Sequence, residues 1–256
     1  MSIWRSEGHS NLNPILKALS SMRKNGVRYL LMGGQACVFY GAAEFSRDLD
    51  LVVLLNDANL DFLRNALGEL DASPIAVPVL DRAALARGHA VHFRCRRPDV
   101  SGLRIDVMSR LRGVSSFEQL WKRRTTIEAE GEIIDILSLP DLVLAKKTQR
   151  DKDWPMIRRL VEQSFYSSVE QSAQSVDFWL AELRSPELLI EVTVRYPAAA
   201  AQSPRPAVQA ALRRDRSAIE DQLEAEEKAE RAADRLYWEP LREELQRLRL
   251  MSRHQP

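Results

Sequence analysis

The strongest chemical signal in this chain comes from three aspartates. Asp48 and Asp50 stand two apart in Asp48-Leu49-Asp50-Leu51-Val52-Val53, and Asp106 lies between Ile105 and Val107. On a strand the side chains alternate, so Asp48 and Asp50 project from one face, roughly 6.6 Å apart at about 3.3 Å rise per residue, while Leu49, Leu51 and Val53 point the other way. Carboxylates on one side of an apolar stripe repel each other, and burying them unpaired is costly. A cation between them resolves the conflict. Hard oxygen ligands that leave places for waters and phosphate oxygens suit Mg2+. Three carboxylates from two neighbouring strands match what two-metal phosphoryl or nucleotidyl transfer needs. Asp135, flanked by Ile134 and Ile136, competes for the third place. Asp106 is preferred because it lies in a basic stretch where a phosphate-rich substrate would be drawn. Gly33-Gly34 follows an apolar run, where glycines let the backbone turn into a helix and let a ligand come close.

These residues need elements to hold them. The periodicity predicts a helix over 13–25, a strand over 27–32 ending at the glycine pair, and a helix over 35–40. A strand over 49–55, a helix over 57–70, and strands over 91–96, 103–108 and 132–136 follow. The result is an α/β (α+β) domain over residues 1–137, a mixed sheet flanked by helices. From Ser138-Leu139-Pro140-Asp141 onward the pattern is helical: Ser caps the helix, Pro sits in the first turn, and Ser185-Pro186-Glu187 repeats the device. Helices over 138–196 are expected to complete the site. Residues 197–256 are read as a connection marked by Pro197, Pro204 and Pro206, then C-terminal helices. Their main element is one amphipathic helix over 208–237, with Leu212, Ile219, Leu223, Ala233 and Leu236 near one stripe and Glu224/Lys228 and Glu227/Arg231 paired four apart.

Leu31-Met32-Gly33-Gly34, Asp48-Leu49-Asp50 and Ile105-Asp106-Val107, in that order, resemble the signature of the DNA polymerase β-type nucleotidyltransferase superfamily. Phe45-Ser46-Arg47-Asp48-Leu49-Asp50 and the segment from Asp141 to Asp153 resemble, more narrowly, the minimal abortive-infection-type nucleotidyltransferases, several of which are toxins of toxin–antitoxin pairs. The resemblance covers about residues 25–165. It implies a nucleotidyltransferase-like fold, with an all-helical C-terminal domain following the mixed sheet. Gly33 and Gly34 would hold the nucleoside triphosphate, with Asp48 and Asp50 binding Mg2+, two ions in all. Asp106 would be the third acid, ligating metal or activating the acceptor hydroxyl. Lys146 or Lys147, with Arg150 and Asp153, would reach the phosphates or the acceptor, and their three- and four-residue spacings place either lysine on a helix face with Arg150. Glu44 stands where relatives carry a basic residue, and Arg47 supplies the nearby positive charge instead.

Other chemistries lose support. His89-x-x-His92-x-x-Cys95 suggests zinc, but odd spacing sends the two histidines to opposite faces of a strand and no fourth ligand is near, so this stretch is read as a surface strand. There is no nucleophile elbow, P-loop or dinucleotide fingerprint.

The 256 residues, 45% apolar and 29% charged, suffice for one large or two small globular domains. A formal charge of +1 excludes no partner, because it conceals eleven basic residues against three acidic ones between Arg82 and Arg124. That stretch is either a guide for NTP and a polyanionic acceptor such as a tRNA end, or a solvated surface offset by acids elsewhere. Two cysteines, Cys37 and Cys95, argue for a reducing compartment. No apolar run reaches the roughly 18 residues of a membrane helix, and the first thirteen residues have no secretion-signal core. The expectation is a cytoplasmic, Mg2+-dependent enzyme moving an NMP from NTP to a hydroxyl of tRNA, protein or a small molecule, with an antitoxin as a further partner. A catalytically silent binding module acting through its C-terminal helices is the alternative.

Overall fold

A computed structural model describes residues 13–168 and 172–253. Residues 1–12, which cover nearly all of the stretch read for a secretion signal, lie outside the described residues. The first half of the chain contains α1 (Pro14–Lys24), β1 (Tyr29–Met32), α2 (Gly33–Phe39), β2 (Asp48–Val53), α3 (Asp57–Glu69), β3 (Ala72–Pro74), α4 (Arg82–Arg87), β4 (Val91–Cys95), β5 (Arg104–Met108), α5 (Phe117–Lys122), β6 (Thr125–Ala129) and β7 (Glu132–Ile136). Helices follow: α6 (Leu139–Ala145), α7 (Asp153–Ser167), α8 (Ala173–Glu182), α9 (Pro186–Arg195), α10 (Pro197–Gln202), α11 (Pro206–Leu212) and α12 (Arg216–Arg253). None of the described helices is long and apolar enough to cross a membrane.

The fold class is the expected mixed sheet flanked by helices. Seven strands pair in the order β3-β4-β5-β2-β1-β7-β6. β2 lies antiparallel to β1 and parallel to β5, and β7 runs parallel to β1. The alternation in β2 sets the two faces. Leu31, Leu51, Val107 and Val91 form one cross-strand row that is fully buried. That row joins Leu19 and Met22 of α1 and Leu60 and Leu63 of α3 in a core that continues through Trp154, Trp179, Leu189 and Ile219 of the later helices. Burial of side chains this size, each worth about 1.5–3 kcal/mol, binds sheet and helices into one hydrophobic unit.

Several expected elements are corrected. The stretch over 91–96 is no surface strand: β4 lies between β3 and β5, and Val91, Phe93 and Cys95 are buried. The proline-marked segment over 197–206 is no mere connection, because Pro197 and Pro206 open α10 and α11, where a missing N–H costs nothing, and Ala200 is buried. The single helix over 208–237 is broken at Arg214, whose φ is +56°, and Asp215 then caps α12 by accepting from Ala218 N at 3.0 Å. Ser185 does not repeat the cap of Ser138, since its hydroxyl donates to Glu162 instead.

The stripe on α12 is also different. Leu212 ends α11 and is exposed, as are Ala233 and Leu236 of α12, and the docked face runs through Ile219, Leu223, Asp234, Trp238 and Leu241. Much of that docking is ionic. The buried Asp234 carboxylate accepts from Arg112 Nε at 3.1 Å, Gln149 N at 2.9 Å and Trp238 Nε1 at 3.0 Å. Arg231 reaches Asp151 at 2.5 Å, and Glu244 reaches Arg87 at 2.8 Å and His89 at 3.0 Å.

Asp234→Ala leaves three donors without that acceptor, although Arg112 keeps Glu230 at 2.8 Å. The expected cost is roughly 3 kcal/mol, read as a lowered denaturation midpoint. A change within about 0.5 kcal/mol, the range of an ordinary surface substitution, would contradict this docking.

Candidate active site

The strand register gathers the acids. Met32, Asp50, Asp106 and His92 are direct partners across β1, β2, β5 and β4, so one row of side chains crosses the sheet face opposite the apolar row. Asp48, Arg104 and Arg94 form the next row toward the open end. Asp50 and Asp106 are thus nearest neighbours on parallel strands. Asp135 is elsewhere: it lies on β7, with β1 between it and β2, and accepts from Arg124 at 2.8 Å and Thr126 at 2.6 Å.

The glycine pair turns against these acids. Gly33 has φ +69° and opens α2, and a Cβ built there would overlap the Asp50 carboxylate. At Gly34 a Cβ would come 2.6 Å from Ser46 Oγ. Only glycine lets the chain pass this close to Asp50, and the Gly34 N–H hydrogen-bonds to that carboxylate.

Asp50 and Asp106 sit in opposite electrostatic situations. Burial, followed by the charges of Asp106 and Asp48, raises the Asp50 carboxyl above its ordinary range despite Lys146 and the Gly34 N–H. At Asp106 burial also pushes upward, but hydrogen bonds from His92 and Arg104 win and hold the carboxyl below its ordinary range. Both donors reach Oδ1, His92 Nδ1 at 2.8 Å and Arg104 Nε at 2.7 Å, while Arg104 Nη2 touches His92 Nδ1 at 3.1 Å. Asp106 has its compensating charge within the protein; Asp50 is short of one.

Lys146 closes the cluster from behind. Its side chain is buried, its ammonium lies 3.5 Å from Asp153 Oδ1 and within hydrogen-bonding reach of the Cys37 thiol, and its charge acts on Asp50. The expected shared helix face with Arg150 does not exist, because α6 stops at Ala145. Thr148 Oγ1 donates to Asp153 Oδ2 at 2.6 Å and accepts from Arg150 N at 3.1 Å, a side-chain ring that replaces the helical ladder. Arg150 is turned onto Asp153 at 2.6 Å, and Lys147 reaches Glu182 of α8 at 2.8 Å. Of the four residues expected from this segment, Lys146 acts on Asp50 and Asp153 braces Lys146, while Lys147 lines both a cavity of about 890 Å³ that holds none of the acids on the sheet and a smaller one beside the loop after α6. Arg47 is exposed, with its guanidinium 5.7 Å over the equally exposed Phe45 ring.

The basic stretch is largely neutralised. Arg82, Arg87, Arg97, Arg104, Arg112, Arg123 and Arg124 each pair with an acid, several on distant elements such as Glu244 and Asp234. Exposed Arg94, in the row of Asp48, still offers positive charge beside the site.

Among the described residues, no group of three or more His, Cys, Asp and Glu side chains forms a ready metal cage. His89, His92 and Cys95 do not converge: His89 faces Glu244, His92 faces Asp106, and both cysteines are buried and free. Asp48 and Asp50 fit a different kind of ion. Mg2+ keeps several waters and takes one or two carboxylates plus substrate phosphates, and Asp50 is the group whose carboxyl stays above its ordinary range even with Lys146 nearby.

Sequence reasoning missed His92 and Arg104 as partners of the third acid. Polar residues alternating with Val91 and Phe93, and with Ile105, place each on the carboxylate face of its own strand. Their meeting depends on the register between β4 and β5, which neither strand reveals alone.

No family model matches this chain, and no curated protein matches it. Among solved structures it is similar to an H. pylori protein to which nucleotidyltransferase activity is ascribed, 13% identical with a TM-score of 0.38 over 82% of this chain and 94% of the other. It is also similar to an antigenic nucleotidyltransferase-like protein from Paracoccidioides brasiliensis, 16% identical with a TM-score of 0.38 over 73% and 91% of the two chains. At that score neither likeness bears on activity, which is argued below from the residues.

Gly33→Ala is expected to lower the melting temperature by placing a methyl in the Asp50 carboxylate and straining a left-handed backbone by about 1–2 kcal/mol. Gly68→Ala, in α3 with nothing within 4 Å of the new methyl, is expected to hold or raise it. Equal melting temperatures for both variants would refute the close approach at Gly33.

Proposed function

We propose that this chain is a Mg2+-dependent nucleotidyltransferase. The observation that carries the reading is the pairing of Asp50 with Asp106 on adjacent parallel strands, with the Gly33-Gly34 turn packed directly on Asp50. Asp48 and Asp50 would hold Mg2+ arriving with the triphosphate, and the ion, when bound, would supply charge to the phosphate oxygens. The Gly33-Gly34 turn would receive the phosphates at the start of α2. Lys146, braced by Asp153, would keep positive charge beside Asp50.

Asp106 is suited to the acceptor. Held ionised by Arg104 and His92, it can take the proton of an acceptor hydroxyl as that oxygen bonds to the α-phosphorus. The α–β phosphoanhydride bond breaks and pyrophosphate leaves. One observation favours the silent binding module instead: Arg104 already neutralises Asp106, so an acceptor must compete with an existing ion pair.

The test is incubation with each labelled NTP, Mg2+ and cell extract. Label should move to RNA, protein or a small molecule with the wild type, and transfer should fall by more than about 100-fold in Asp48→Asn and in Asp50→Asn, both still folded. Unchanged transfer by the two variants would overturn the reading. Nucleotide binding without transfer under any metal would favour the silent module.

A further inference from the structure

From the geometry we infer that α12 completes the nucleotide site: Trp238, with Met32 and Met108, forms a slot for the nucleobase. The inference rests on the proposed nucleotidyltransferase reading. A cavity of about 300 Å³ lies where α12 crosses the loop after α6. Met32, Met108, Leu111 and Trp238 line it, with Arg150 and Arg242 among the polar residues of its wall.

Position ties this cavity to the acids. Met32 is the register partner of Asp50 and the residue immediately before Gly33. Met108 lies on β5 two residues beyond Asp106, so its side chain shares that face. A nucleotide with its phosphates at Gly33-Gly34 and Asp50 has its base one side chain away from this space.

The chemistry of the walls suits a flat heterocycle. Trp238 Nε1 is engaged by Asp234 at 3.0 Å, which fixes the indole and leaves its ring as a contact surface. Thioethers are polarisable and favour aromatic neighbours, and an indole stacks on any base. About 300 Å³ is at the lower end of small-molecule sites, room for a base with its triphosphate left outside toward the carboxylates. Arg242, Lys147 and the Asp153-paired Arg150 add positive charge to the wall.

The buried Asp234 cluster acquires a purpose on this view. It pins Gln149 of the α6–α7 loop and Trp238 of α12 to one carboxylate, so the two sides of the cavity are fixed relative to each other.

The test is equilibrium binding of Mg2+ with each NTP, and of Mg2+ with inorganic tripolyphosphate, to the full chain. Trp238→Ala is expected to weaken the preferred NTP about 5- to 100-fold and leave tripolyphosphate unchanged. Trp238→Phe should keep most of the affinity and lose the nucleotide-dependent change in tryptophan emission. Leu236→Ala, exposed on the same helix, should behave as wild type, and thermal melting checks that each variant is folded. If Trp238→Ala keeps the wild-type Kd while Asp50→Asn loses NTP binding, the base slot is wrong and the nucleotidyltransferase reading stands. Equal weakening of NTP and tripolyphosphate also overturns the slot. If the wild type binds no NTP, both fall.

Discussion

Asp50 is a carboxylate placed in the middle of a sheet, beside a second carboxylate, with too little positive charge of its own. Burial and the neighbouring Asp106 both work against its ionised form. Much of the surrounding structure responds to that problem. Gly33 gives up a side chain so that the chain can turn against it, the Gly34 N–H points at it, and Lys146 is buried behind it. Arg104 and His92 are spent on Asp106 instead. A group left this way has a use for a cation that comes and goes with substrate, which is why the metal reading attaches to Asp48 and Asp50 more than to Asp106.

The rest of the fold makes that arrangement affordable. The apolar row behind the acids, Leu31, Leu51, Val107 and Val91, is fully buried, and the core runs on without a gap into the helices. Those helices cover the carboxylate side as well. α12 returns along it on a face with few apolar contacts, fastened by Arg112, Arg231 and Glu244 around the buried carboxylate of Asp234. An ionic seam of this kind fixes geometry but adds modest net stability.

Much of this was legible in the residues themselves. Alternation in Asp48-Leu49-Asp50-Leu51 showed both acids on one face, and Gly33-Gly34 after an apolar run marked the turn. The helix cap at Ser138 is an equally local signal, visible because a cap is written within four residues, whereas Asn13, expected inside the first helix, is the cap of α1. What could not be read was set by distant partners. Arg150 left its expected helix because Thr148 and Asp153 close a side-chain ring that outweighs helical spacing. With zinc set aside, the stretch over 91–96 reads as a surface strand, because its burial is decided by its neighbours β3 and β5. Leu236 fitted a helical stripe but is exposed, since the stripe that docks is built on Asp234 and Trp238. Of the two readings of Arg82 to Arg124, the surface offset by acids elsewhere gains support, and which acids do it is not visible locally: Glu244, Glu230 and Asp234 pair with Arg87 and Arg112 from more than a hundred residues away.

The most direct test of the central claim is anomalous scattering from Mn2+ in crystals grown with a non-hydrolysable NTP. The structure leads us to expect manganese between the carboxylates of Asp48 and Asp50, with the phosphates against the Gly33-Gly34 turn. Manganese bound elsewhere, or the nucleotide seated in the larger cavity beside Arg184 and Arg205 with the carboxylates bare, would contradict it.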